Sequence, residues 1–183
     1  MDKIILFGDS LMAGYGLPHE KHLSIVLQNH LLNNGYNIEI INGSVSGSTS
    51  AGGLNRVVWS LSETNIDLMI LGLGANDMLR GISPTQTEKN LEKIIQISKQ
   101  KNIDVILAGM IAPTTHGFSY KKKFDDIYTS LAKKYNLDLI PFLLEGVVLK
   151  PELNQDDGMH PNAKGILIIS DTLEKSIISF IKK

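Results

Sequence analysis

Cysteine is absent from the 183-residue chain. Disulfide frameworks, thiolate metal sites and cysteine nucleophiles are therefore excluded. The compartment stays open, because a cysteine-free protein suits oxidising and reducing surroundings equally. Also missing is any run approaching the roughly 18 apolar residues of a membrane span. No leader precedes the first apolar segment, which begins at Lys3. The chain as it stands is expected to be cytoplasmic, or periplasmic or secreted if a leader has been removed. Charge of one sign is lacking too: 18 Lys and Arg against 19 Asp and Glu give a formal net charge of −1. That leaves no electrostatic footprint for nucleic acid. The longest basic run, Lys121-Lys122-Lys123, fits the solvated face of a helix. Repeats, low-complexity tracts and linkers are not seen. With 43% hydrophobic residues, a chain of this length is expected to form one domain, residues 1–183, around one core.

What is there is alternation. Apolar runs at residues 3–7, 37–41, 67–73, 103–109 and 137–142 read as five strands. Between and after them lie segments with apolar residues three and four apart, the helical period. Leu23, Val26, Leu27, His30 and Leu31 form one such stripe, with Gly35 as its stop, and Leu54, Val57, Val58 and Leu61 form the next. Ser83-Pro84-Thr85-Gln86 reads as an N-cap serine, a proline at the first helical position and a capping-box glutamine. Leu91, Ile94 and Ile95 follow it; Phe124, Ile127, Tyr128, Leu131 and Tyr135 mark a further helix, and Ile166, Ile169, Leu173, Ile177 and Ile181 the last. Strands that are apolar almost throughout are buried on both faces. Five β-α units thus predict a parallel sheet in a three-layer α/β/α sandwich.

In open parallel sheets ligands sit beyond the carboxyl ends of the strands. Four loops at that edge are polar: Gly8-Asp9-Ser10, the glycine- and hydroxyl-rich segment 42–53, the segment 74–81 with Asn76, and Asp156-Asp157-Gly158-Met159-His160-Pro161. Together they hold what acyl transfer requires. Ser10 supplies a hydroxyl and His160 a base to take its proton. Asp157, three residues before His160, can fix the imidazole tautomer. The backbone N–H of Ser10, one near Gly47 and the side-chain amide of Asn76 are candidate oxyanion donors. Asp9 reads as a turn-shaping carboxylate, and Asp77 as a helix cap or loop ligand. Asp156 and Asp157 are adjacent and point different ways, so at most one faces His160. A metal reading of Asp156, Asp157 and His160 lacks a second histidine close by. His116, after the fourth strand, lies on the same edge and is a candidate substrate contact. His19, His22 and His30 read as helix or surface positions.

Ser10 in Gly8-Asp9-Ser10-Leu11, Gly47 in the second loop, Asn76 in Gly74-Ala75-Asn76-Asp77, and Asp157-Gly158-Met159-His160 together resemble the four blocks of the SGNH (GDSL) hydrolases. The branch they resemble most holds bacterial thioesterases, lysophospholipases and arylesterases, and the likeness runs over nearly the whole chain. It implies a flavodoxin-like sheet of five strands and hydrolysis of small acyl esters or thioesters through an acyl-enzyme, without metal or cofactor. It also implies the roles: Ser10 as nucleophile, Asp157 and His160 completing the triad, and Ser10, Gly47 and Asn76 forming the oxyanion hole. The choice of Gly47 over Gly43, Gly52 and Gly53 rests on the resemblance. The competing reading is a non-catalytic flavodoxin-like module, in which Ser10 and the hydroxyl-rich second loop cradle a phosphate or flavin. That reading gives Asn76 and the Asp157/His160 pair nothing to do.

Overall fold

The computed structural model describes residues 1, 3–62 and 65–183. Five strands, β1 (Lys3–Gly8), β2 (Glu39–Asn42), β3 (Leu68–Gly72), β4 (Asp104–Ala108) and β5 (Asp138–Ile140), form one sheet in the order β2-β1-β3-β4-β5. Every neighbouring pair is parallel. The expected three-layer α/β/α architecture is what the chain adopts. The strand order reverses between β1 and β3, which makes the crevice above those two strands the topological switch point.

The helices are α1 (Ser10–Ala13), α2 (Leu23–Asn33), α3 (Ser50–Ser60), α4 (Ala75–Leu79), α5 (Pro84–Gln100), α6 (Phe118–Tyr135) and α7 (Ala163–Ile181). One layer pairs α2 with α7, and the other packs α5 between α3 and α6. β1 and β3 are apolar along their length because both faces are covered; Ile4, Leu6, Phe7, Leu68, Met69, Ile70 and Leu71 have no exposed surface. Each fully buried Leu, Ile or Phe of this kind is worth roughly 1.5–3 kcal/mol relative to exposure. At the carboxyl end Gly8 pairs with Gly72. The Met12 side chain of α1 lies over both, and a Cβ on either glycine would stand 2.5 Å from its sulfur. These two glycines let α1 settle directly on the switch point.

Three expectations need correction. Val58 is 60% exposed, while Val57 and Leu61 are buried, so the α3 stripe is narrower than its spacing suggests. Ser83 caps α5 by position only, since its side chain makes no cap hydrogen bond. Gln86 donates to Asn90 Oδ1 at 3.0 Å instead of reaching back, so the capping box does not form. The strand ends shift by up to two residues; β5 stops at Ile140, before Pro141, which has no N–H to give a ladder. The triple-lysine run does lie on helix α6, with Lys122 and Lys123 exposed. No helix among the described residues is long and apolar enough to cross a membrane.

Candidate active site

β1 ends at Gly8, and the chain turns at once into the single turn of α1. Asp9 makes the corner. It is the N-cap, with Oδ1 accepting from Leu11 N at 3.0 Å, which leaves Ser10 as the first helical residue above the switch point. Asp9 has no exposed surface. Burial pushes its carboxyl up to about 6, against the lowering effects of the Leu11 N–H, the Asn76 amide and the nearby His160. Arg56, on α3, braces this corner by donating to Gly8 O at 2.9 Å and Gly43 O at 2.5 Å, with its guanidinium 4.0 Å from the Phe7 ring centre.

The histidine comes from the loop between β5 and α7. Asn162 caps α7 by accepting from Lys164 N and Gly165 N, and donates to Glu152 O and Asn154 O. Gln155 N donates to His160 O at 2.7 Å, which closes the loop on itself. Within it, Asp157 Oδ1 accepts from Met159 N and His160 N, both at 2.9 Å, and Oδ2 lies 2.6 Å from His160 Nδ1. Those bonds, the backbone ones first, hold the Asp157 carboxyl down to about 2. An ionised carboxylate can only accept, so the His160 Nδ1 carries the proton. The lone pair is then on Nε2, which lies 2.9 Å from Ser10 Oγ. Serine, histidine and carboxylate form one continuous chain of hydrogen bonds.

Two further loops flank Ser10. Asn76, on α4, donates through Nδ2 to Ser48 O at 3.1 Å and, more weakly, to Asp9 Oδ2 at 3.4 Å. Arg80 donates to Gly47 O at 3.2 Å. Among the described residues, no acceptor takes the backbone N–H of Ser10 or of Gly47. Gly52 and Gly53 lie inside α3, and Gly43 N is spent on Leu6 O. Asp77 is fully buried. It accepts from Ser50 N at 2.8 Å, from Ser50 Oγ at 2.5 Å and from Thr87 Oγ1 at 3.1 Å, so it joins α3, α4 and α5 beneath the site.

Four of the five hydroxyls of the second loop, all but the exposed Ser46, are already engaged. Ser44 Oγ accepts from Gly8 N and donates to Leu6 O, Ser48 Oγ donates to Thr49 O, Thr49 Oγ1 caps Gly52 N, and Ser50 Oγ donates to Asp77. The binding-module reading finds no support there.

His116 is exposed, packed against the Tyr120 ring with centroids 5.1 Å apart. It has no hydrogen bond to Ser10, Asp157 or His160. Asp156 is exposed and likewise does not reach the imidazole. His22 packs under the turn after α1 and bonds Leu17 O, and His30 pairs with Ser170 on α7. Sequence reasoning missed Tyr15, Arg56, Arg80 and Gln155. Of these only Tyr15 carries a local signal, its place between Gly14 and Gly16.

A parallel sheet of this order, with a serine-histidine-carboxylate chain at its switch point, defines the class of serine hydrolases built on a flavodoxin-like fold. The sequence profile of the GDSL-like lipase/acylhydrolase family matches residues 6–166, and the chain belongs to that family. An arylesterase of Vibrio mimicus is 37% identical over 180 residues, 98% of this chain and 90% of the relative. The thioesterase 1/protease 1/lysophospholipase L1 of Escherichia coli K12 is 36% identical over 96% of this chain and 83% of its own length. The crystal structure of the psychrotrophic esterase EstA from Pseudoalteromonas sp., inhibited by monoethylphosphonate, superposes with a TM-score of 0.95 at 31% identity over all of both chains. The chain is an SGNH-type esterase.

Proposed function

We propose that the esterase works through an acyl-enzyme on Ser10, with His160 as general base and Asp157 as its orienting carboxylate. One observation carries this reading: the unbroken chain Asp157 Oδ2–His160 Nδ1, 2.6 Å, and His160 Nε2–Ser10 Oγ, 2.9 Å. Nε2 takes the serine proton as Oγ attacks the acyl carbon, and the resulting imidazolium passes that proton to the departing alkoxide or thiolate. A water then attacks the acyl-serine with His160 again as base, releasing the acid. The N–H groups of Ser10 and Gly47 and the Asn76 amide receive the oxyanion. The long Asn76 bond to Asp9, at 3.4 Å, is the one that the oxyanion replaces.

The substrate class follows from the relatives and from the walls of the edge. Those relatives are named for aryl esters, thioesters and lysophospholipids. Leu79, Ile111 and Phe118, on the segments after β3 and β4, are 51%, 44% and 81% exposed. They give an acyl chain of short to medium length an apolar surface, and His116 on the same segment is a candidate contact for it.

Hydrolysis of p-nitrophenyl esters from acetate to dodecanoate, by wild type and Ser10→Ala, tests the proposal. The expected loss in the variant is at least about 10⁴-fold in kcat, with the wild-type rate falling on acidification as Nε2 takes up a proton. Equal rates in the two proteins, or a wild-type rate flat down to pH 4, contradict it.

A further inference from the structure

The imidazole of His160 has a neighbour that the proton relay does not use. Tyr15 lies against it, with ring centroids 4.4 Å apart and ring planes tilted by 37°. The His160 side chain keeps 16% of its surface exposed, while Tyr15 remains 51% exposed. An aromatic ring left half in water and laid on a histidine gains little as core, so its place asks for another account.

The backbone around Tyr15 is built to hold it there. It sits in a turn between Gly14 (φ 90°) and Gly16 (φ 71°), both left-handed. Leu17 N closes the turn on Gly14 O at 3.1 Å. The Gln155 amide then fastens this turn to the histidine loop, donating to Tyr15 O at 2.8 Å and to Pro161 O at 2.9 Å. A Cβ on Gly16 would stand 2.2 Å from Gln155 Oε1, so only glycine lets the amide reach both carbonyls. The main-chain bond from Gln155 N to His160 O completes the connection. Nucleophile and base come from segments about 150 residues apart, and Gln155 and Tyr15 are where those segments are joined.

We propose that Tyr15 is a positioning residue for the base: its ring holds the His160 imidazole in line with Asp157 and Ser10, and its π face favours the imidazolium that forms when Ser10 gives up its proton. The inference rests on the esterase reading. Its physical basis is the negative face of the aromatic ring, which attracts a cation more than the neutral form of the same group. The charged groups facing the imidazole are Asp157 on its own loop and Asp9 at the β1–α1 corner. Both attract the imidazolium, and both are unchanged when Tyr15 is replaced.

The test compares wild type with Tyr15→Phe, Tyr15→Leu and Tyr15→Trp. The His160 ring protons are titrated by NMR in each protein without substrate, assigned by the signal missing in His160→Gln, and kcat and KM are then measured on p-nitrophenyl acetate. Phe, which keeps the ring face, is expected to match wild type in titration and within about twofold in kcat. Leu is expected to lower kcat by roughly 3- to 30-fold with little change in KM, and to move the His160 titration to lower pH, as loss of a cation–π contact requires. Trp is expected to move it the other way. A Leu variant whose titration is unmoved, whatever its rate, overturns the proposal, as does a Phe variant impaired as much as Leu. The titration needs no turnover, so a failed esterase reading shows separately, as hydrolysis that persists in Ser10→Ala.

Discussion

Asn76 sits where a small side chain holds two loops and faces the reacting edge at once. Its amide is bonded to Ser48 O at 3.1 Å and to Asp9 at 3.4 Å. If it is the oxyanion donor proposed above, it matters in the transition state more than in the bound substrate, and Asn76→Ala is expected to lower kcat about 10²–10³-fold with KM changed only a few-fold. A variant at wild-type kcat removes Asn76 from the hole. At this scale the sequence was readable where chemistry and strand ends coincide. Ser10, Asn76, Asp157 and His160 all fall in segments that parallel-strand topology brings to one edge, whereas Gly47 was singled out within its segment only by the family resemblance. Arg56 and Gln155 were not readable, because neither residue type nor spacing marks them. Their partners lie 48 and 140 residues away, respectively.

At the scale of elements, α7 holds the histidine loop in place. Asn162 does more than an ordinary cap, because its amide donates to Glu152 O and Asn154 O while its oxygen accepts from the first turn of the helix. Asn162→Ala is expected to cost about 1–3 kcal/mol, a fall in Tm of roughly 3–8 °C. Its kcat should drop as the loop loosens, and scanning fluorimetry beside the ester assay reads both. An unchanged Tm would mean that the loop holds itself. Helix existence and strand type were legible from period and run length, but the details of helix ends were not. Ser83 and Gln86 have the spacing of a capping box, yet Gln86 turns to Asn90, which donates to Ser50 Oγ at 2.9 Å in the buried network around Asp77. Tertiary polar contacts outcompeted the local pattern. Val58 has the spacing of a core residue, but α3 buries a narrower stripe.

For the whole molecule, the buried Asp9 carboxyl next to Ser10 sets a pH dependence opposite to the usual one. Asp9 is raised from 3.8 to about 6 by burial, so the folded state binds its proton more tightly than the unfolded chain does. Its stabilising contribution is complete below about 4 and is lost as pH rises through 6, on the order of 2–3 kcal/mol in all. Asp157 is lowered to about 2; its contribution is present above about 4 and is lost as pH falls through 2. Wild type is therefore expected to melt a few degrees higher at pH 5 than at pH 7, relative to Asp9→Asn, which keeps an oxygen for the Leu11 N–H. An equal pH response in both proteins would show that Asp9 is not the group responsible. The same corner ties the fold to the chemistry. The sheet reverses its order between β1 and β3, and Ser10 stands on that crevice hydrogen-bonded to His160, brought from the far end of the chain.

The claim that Ser10 receives the acyl group is tested most directly by trapping. The enzyme is incubated with a p-nitrophenyl alkylphosphonate, and its intact mass and peptide map are read by mass spectrometry. One phosphonyl group per chain is predicted, on the peptide carrying Ser10, with loss of esterase activity in proportion and no label in Ser10→Ala. Label on another residue with matching loss of activity, or full inactivation without label at Ser10, would contradict it.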